Sequence, residues 1–148
     1  MSPCVLPCEL SPVKTYHVRP RPGSSASARP ARILLVDDDP CLSRLMALFL
    51  IHAGYAVDTA ADGEQGWVAL KLRHYDLLMT DNDMPRLTGL ELIRRLRGMG
   101  MTLPVIVVSG SEEIRGLAKD RVLDLTAVVP KPFQPDDLLA QVERVTAD

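Results

Sequence analysis

Short apolar runs alternate with amphipathic stretches from residue 33 to the end of the chain. Ile33–Val36 is too brief for a helix and stops at Asp37-Asp38-Asp39-Pro40, so it reads as a strand. Leu42, Leu45, Met46, Phe49 and Ala53 then follow helical spacing, with Gly54 as the stop. Tyr55–Ala60 reads as a second strand, and a helix from about Gly63 to His74 turns Trp67 and Leu70 inward. Leu77–Thr80 is an apolar strand ending at Asp81, followed by a loop over Asn82–Thr88. Leu90, Ile93 and Leu96 mark the next helix, which Gly98 and Gly100 end. Pro104–Val108 is a β-branched strand closing at Ser109-Gly110, and a more polar helix covers roughly Glu112–Asp120. Thr126–Val129 is the last strand, ending at Pro130-Lys131-Pro132. The final helix runs from about Pro135 with Leu138, Val142 and Val145 facing in.

Five strand–helix units in this order predict an α/β fold: a doubly wound, five-stranded parallel sheet with five helices. Right-handed crossovers limit the choices to a doubly wound sheet; if the strand order is 2-1-3-4-5, as in flavodoxin-like sheets, strands one and three are neighbours at the switch point. Sites in such sheets lie outside the carboxyl ends of the strands. A chain of 148 residues has room for one such domain, placed at 32–148.

Residues 1–31 break the pattern. The first 32 residues hold five basic side chains (Lys14, Arg19, Arg21, Arg29, Arg32) against one acid, Glu9, and six of the 12 prolines. Such a stretch lacks the apolar periodicity that offsets ordering entropy, so 1–31 is expected to be a disordered, basic, Pro-rich arm. It reads either as a tether to an acidic partner or nucleic acid, or as a passive extension.

Composition narrows the function. At 47% hydrophobic and 24% charged, the chain is globular in character. Its net charge of −2 argues against nucleic acid as a partner of the whole chain. The longest apolar run, Leu45 to Ile51, is too short to cross a bilayer, and Pro3 and Pro7 interrupt any secretory leader. Three cysteines do not make a disulfide scaffold. The expected location is the cytoplasm, with no membrane partner.

The chemistry gathers at strand ends. Strand one ends in Asp37, Asp38 and Asp39, strand three in Asp81, strand four in Ser109, and strand five beside Lys131. In the 2-1-3-4-5 order the carboxylates of strands one and three share one crevice. Crowded carboxylates repel and tend to take up protons, and a divalent cation removes the conflict. Hard oxygen ligands in an open cleft suit Mg²⁺. A carboxylate beside such an ion can act as nucleophile toward phosphorus, while Lys131 and Ser109 can hold phosphoryl oxygens.

Ile33-Leu34-Leu35-Val36-Asp37-Asp38-Asp39-Pro40, Thr80-Asp81-Asn82-Asp83-Met84-Pro85 with Gly89-Leu90-Glu91, Pro104–Gly110, and Lys131-Pro132-Phe133 resemble, in order, the receiver domain of bacterial response regulators, the CheY-like fold. The resemblance covers about 33–148. It implies that Asp81 takes a phosphoryl group from a histidine kinase or a histidine phosphotransfer protein. It implies that Asp38 binds Mg²⁺ directly, Asp37 through water, and that the Asp83 backbone carbonyl completes the protein ligands. Lys131 and Ser109 would contact the phosphoryl group, and the Lys131–Pro132 bond would be cis. The chain would then be a single-domain receiver. It would be no enzyme beyond self-catalysed phosphorylation and dephosphorylation, and would signal to a downstream protein through a changed surface. The resemblance also admits a phosphorylation-dependent dimer.

Some residues depart from that pattern or call for simpler readings. Val128 stands where the family often has Tyr or Phe, which puts the aromatic part of the switch in doubt. Asp83 adds a carboxylate near the acceptor and is expected to alter hydrolysis of the acyl phosphate. Asp39 before Pro40 reads as a helix cap. Trp67 reads as core, and His52 and His74 as helix-end residues. Cys4 and Cys8 lack a second pair for zinc, and Cys41, beside the acids, has no redox pattern. Two other functions compete: a protein-binding adaptor that works without phosphate, and a small Mg²⁺-dependent phosphatase built on Asp37-Asp38-Asp39. Pro40-Cys41 in place of a downstream hydroxyl argues against the phosphatase.

Overall fold

A computed structural model of the chain describes residues 13–16, 29–84, 86–110, 116 and 119–146. Six strands form one sheet: β1 (Val13–Tyr16), β2 (Arg32–Val36), β3 (Ala56–Ala60), β4 (Leu77–Asp81), β5 (Val105–Ser109) and β6 (Ala127–Pro130). Their order is β1-β3-β2-β4-β5-β6. The five strands from β2 onward run parallel, and β1 pairs antiparallel with β3. Four helices lie among the described residues: α1 (Pro40–His52), α2 (Gly63–Leu72), α3 (Gly89–Gly98) and α4 (Pro135–Thr146). The helix expected over Glu112–Asp120 lies mostly outside the described residues. None of the described helices is long and apolar enough to cross a membrane.

β4 and β5 are buried at every position, because helices cover both faces of the sheet. Side chains alternate between two cores. Leu34, Val36, Leu78, Val105 and Val107 join the core that contains Leu92 and Leu96 of α3. Ile33, Leu35, Met79, Ile106 and Val108 join the one that contains Met46 of α1 and Leu138 of α4.

Two expectations need correction. Residues 13–16 sit inside the stretch expected to be disordered, yet they form an edge strand. Val-Lys-Thr-Tyr is rich in β-branched and aromatic residues (Val13, Thr15, Tyr16), and pairing with β3 satisfies backbone groups that an open edge would leave to water. Most of the remaining arm lies outside the described residues. The inward face of α1 also differs. Ser43, Met46, Ala47 and Leu50 are buried, while Leu45 is 66% exposed. Leu42 and Phe49 are only partly buried. α1 is apolar around much of its circumference, so spacing alone does not pick its face; the small Ser43 and Ala47 sit on the buried side. Trp67 packs against the edge of its core rather than inside it, with Lys71 Nζ 5.4 Å from the ring centroid.

Arg97 fixes the approach to β6. Its guanidinium donates to the carbonyls of Leu123 (2.9 Å), Met101 (2.9 Å), Leu103 (2.8 Å) and Asp124 (2.9 Å). Burial lowers its pKa. Replacing the guanidinium leaves several carbonyls without donors. Arg97→Leu should lower stability by roughly 2–4 kcal/mol in urea unfolding. A loss near zero would show that water serves these carbonyls equally well.

Candidate functional site

Strand register builds the site. Val36 of β2 sits opposite both Thr80 of β4 and Ala60 of β3, so Asp37, one residue later, emerges beside Asp81. The Asp37 amide donates to the Ala60 carbonyl at 3.1 Å, which carries the parallel ladder one step past the strand. The chain then turns sharply. The Asp37 carboxylate accepts from the Asp39 amide at 2.9 Å, and the Asp39 side chain accepts from Cys41 and Leu42 at the start of α1. Asp39 therefore acts as the cap expected of it.

The loop after β4 is folded back on itself. Asn82 accepts from the Leu90 amide through its side chain (3.1 Å) and from the Met84 amide through its carbonyl (3.0 Å). α3 starts so close to Asp81 that a Cβ on Gly89 would lie 2.5 Å from the Asp81 carbonyl oxygen. Only glycine fits there without moving the acidic strand end. On the far side, Ser109 ends β5 opposite Pro130, and its carbonyl accepts from the Lys131 amide at 3.0 Å. The Lys131–Pro132 bond is cis.

Oxygen atoms of Asp37, Asp38 and Asp81 all lie within 4.8 Å of one another. Asp37 and Asp81 are 5% exposed, and Asp38 is open to solvent. Lys131 Nζ stands 3.2 Å from Asp81 Oδ2, and the Asp83 amide donates to Asp81 Oδ1 at 3.2 Å. Ser109 is buried at 2% exposure. Asp83 is exposed and contributes its backbone to this loop. Thus Asp37, Asp38, Asp81 and Lys131 come together at one point, with Ser109 at the end of the neighbouring strand β5 and Asp83 in the loop after β4.

Burial pushes the Asp37 carboxyl up from 3.8 to about 6; the nearby Asp81 and Asp38 charges add to the rise, and the Asp39 amide and Lys131 oppose it. Three oxygen-bearing acids with one facing ammonium suit a hard divalent cation, which would relieve the burden on Asp37.

Two neighbouring features were not legible in the sequence pattern. A recess of about 370 Å³ joins Asp37 and Asp38 to Lys14, Tyr16 and Arg44. A second, apolar cleft of about 690 Å³ runs between α1 and the start of α4, lined by Leu42, Leu45, Phe49, Lys131, Phe133 and Leu138. The apolar excess on the outer side of α1 was the available signal for the cleft. The recess depends on β1, whose four residues carry no strand signal by length.

Residues 33–143 match the family described as the response regulator receiver domain. Among curated proteins, the chain is 37% identical over 113 residues to Protein RcaC of Microchaete diplosiphon, covering 75% of this chain and 17% of that protein. It is 37% identical over 115 residues to response regulator MprA of Mycobacterium tuberculosis, covering 75% of this chain and 48% of that one. The chain spans about half or less of the length of these relatives. Among solved structures, chemotaxis protein CheY4 of Vibrio cholerae superposes with a TM-score of 0.72 at 30% identity, covering 79% of this chain and 99% of that one. TrrA of Thermotoga maritima, solved in complex with Mg²⁺-BeF, superposes with a TM-score of 0.70 at 30% identity, covering 78% and 98%.

Because the folded Asp37 binds its proton more tightly than the unfolded chain does, its contribution to stability is full below about pH 4. That contribution is lost as pH rises through about 6. At pH 8 with divalent cations removed, Asp37→Asn should be more stable than wild type by about 1–3 kcal/mol, and the gain should vanish at pH 4. Urea unfolding in EDTA at both pH values measures it. A variant no more stable at pH 8 would contradict the cost of holding a charged carboxylate buried beside two others at this site.

Proposed function

This chain belongs to the response regulator receiver domain family, and on that premise we propose that it is the phosphoacceptor of a two-component or phosphorelay system, with Asp81 as nucleophile. The observation that carries the reading is the placement of Asp81: at a buried strand end, within 4.8 Å of two further carboxylates and 3.2 Å from Lys131. An Asp81 carboxylate oxygen attacks the phosphorus of a phosphohistidine. The P–N bond breaks as the P–O bond forms, the imidazole leaves with the electron pair, and an aspartyl phosphate remains. Hydrolysis by water returns Asp81 and inorganic phosphate. Apart from these self-catalysed steps on its own side chain, the protein turns over no substrate.

Lys131 neutralises a phosphoryl oxygen as a point charge, and the Ser109 hydroxyl donates to another. Asp37, Asp38 and Asp81, with the Asp83 carbonyl, are the residues that would hold Mg²⁺. Bound there, the ion would offset the negative charge of the carboxylates and of the incoming phosphate. Asp81 is positioned by the β2–β4 register and by the close packing of Gly89.

The donor is a histidine kinase or a histidine phosphotransfer protein acting in the cytoplasm. The apolar cleft beside Lys131 is a surface on which such a partner can seat next to Asp81. Output passes to another protein through the face near β5 and β6, biased by new charge pairing at the site. Val128, half-buried and paired with Val107 of β5, favours the alternative of an adaptor that binds its partner without phosphate, because it offers no aromatic ring to reorient.

Intact-protein mass after incubation with Mg²⁺ and acetyl phosphate separates the two. Wild type should gain one phosphate, Asp81→Ala none, and Lys131→Ala should label at least about tenfold more slowly. EDTA should abolish the label. An adduct that survives Asp81→Ala contradicts the assignment. No adduct with acetyl phosphate or with histidine kinases leaves the phosphate-independent adaptor as the better reading.

A further inference from the structure

β1 is a strand that the alternating strand–helix pattern does not call for, and its Lys14 and Tyr16 line a recess that reaches the acidic site. Its residues pair in the register Val13–Ala60, Lys14–Thr59, Thr15–Asp58 and Tyr16–Val57. Successive side chains point to opposite faces, so Lys14 and Tyr16 share one face and Val13 and Thr15 the other. Tyr16 packs with the core that contains Met46 of α1. Lys14 is therefore on the α1 side of the sheet, where it lines the recess that also holds Asp37 and Asp38.

The strand is fastened on its other face. Arg73 Nη1 donates to Thr15 Oγ1 at 3.2 Å and to Asp58 Oδ2 at 3.3 Å. Asp58 is fully buried, accepts from the Tyr75 hydroxyl at 2.7 Å, and lies 3.8 Å from Arg32. The Arg73–Thr15 bond lies on the exposed surface, the strand is only four residues long, and both Lys14 and Thr15 are exposed. Such a segment opens at a free energy well below that of the whole domain.

We propose that β1 is a docked arm that sets the divalent-cation affinity of the acidic cluster: when docked, Lys14 opposes a cation at Asp37 and Asp38, and cation binding loosens β1 in return. This rests on the cation role given to those acids under the proposed function. The two halves are one coupling free energy seen from each side. Across a solvent-open recess, a unit charge changes the affinity for a divalent ion by roughly two- to fivefold at low ionic strength, and salt screens the effect. β1 thereby joins a segment outside the common fold to the step that readies Asp81.

The test uses the full chain and MgCl₂ alone. Titration calorimetry at low ionic strength should give a Kd for Lys14→Ala that is roughly two- to fivefold below wild type, and lower again for Lys14→Glu. The three values should converge in about 0.5 M KCl. Hydrogen exchange read by mass spectrometry should speed up at residues 13–16 when Mg²⁺ is added. Equal Kd values for all three proteins, a weaker Kd in Lys14→Glu, or unchanged or slowed exchange in β1 would each overturn the inference while leaving the acidic site intact. No Mg²⁺ binding by any of the three proteins would overturn the acidic-site reading itself, and this inference with it.

Discussion

Mutual repulsion among Asp37, Asp38 and Asp81 is the constraint on which the rest of this structure turns. Three carboxylates with oxygens within 4.8 Å of one another store unfavourable electrostatic energy that the fold must hold in place. Burial, the largest cause, together with the smaller effect of the two like charges pushes the Asp37 carboxyl up to about 6. The only cation directly on Asp81 among the described residues is Lys131. A site built this way gains whenever charge of the opposite sign arrives. Under the proposed function, a phosphoryl group on Asp81 would add negative charge to the same site. Cation binding, phosphoryl acceptance and switching would then be three responses to one electrostatic problem.

The scaffold supplies what the repulsion opposes. Parallel pairing of β2 with β4 brings two strand ends into adjacent positions, and the all-apolar strands are clamped between two helical layers. Two of the three acids are then tied to the backbone next to them: Asp37 to the Asp39 amide, Asp81 to the Asp83 amide. Gly89 lets α3 approach the Asp81 carbonyl, and the Ser109–Lys131 backbone bond draws the lysine across from the far strand. None of these contacts is catalytic in itself. Together they hold Asp37, Asp81 and Lys131 in place against separation.

Much of this was legible in the residues. Apolar runs such as Leu77–Met79 and Val105–Val108 have no alternation because both faces are covered, and such a run alone marks a parallel sheet. Acids and a lysine at successive strand ends then name the site, because a doubly wound sheet brings strand ends together. Other features were hidden for physical reasons. The buried face of α1 could not be read from spacing, since Leu45 and Leu48 are apolar yet exposed, while Ser43 is polar yet buried. β1 is too short to show a period, and its pairing with β3 is antiparallel and remote in sequence. Asp58 gave no sign of being buried. Its charge is tolerated because Arg32, Arg73 and Tyr75 converge on it from three separate segments, which no local pattern reveals.

The most direct test is to locate the phosphoryl group chemically. Borohydride reduces an acyl phosphate to the alcohol, so a phosphorylated aspartate becomes homoserine at its own position in the chain. After reaction with a phosphodonor and Mg²⁺, peptide sequencing by mass spectrometry should find homoserine at position 81 and nowhere else, and should find none when Mg²⁺ is withheld. Homoserine at 37, 38 or 83, or equal conversion at 81 without a divalent cation, would contradict the assignment of Asp81 as the nucleophile of a cation-organised site.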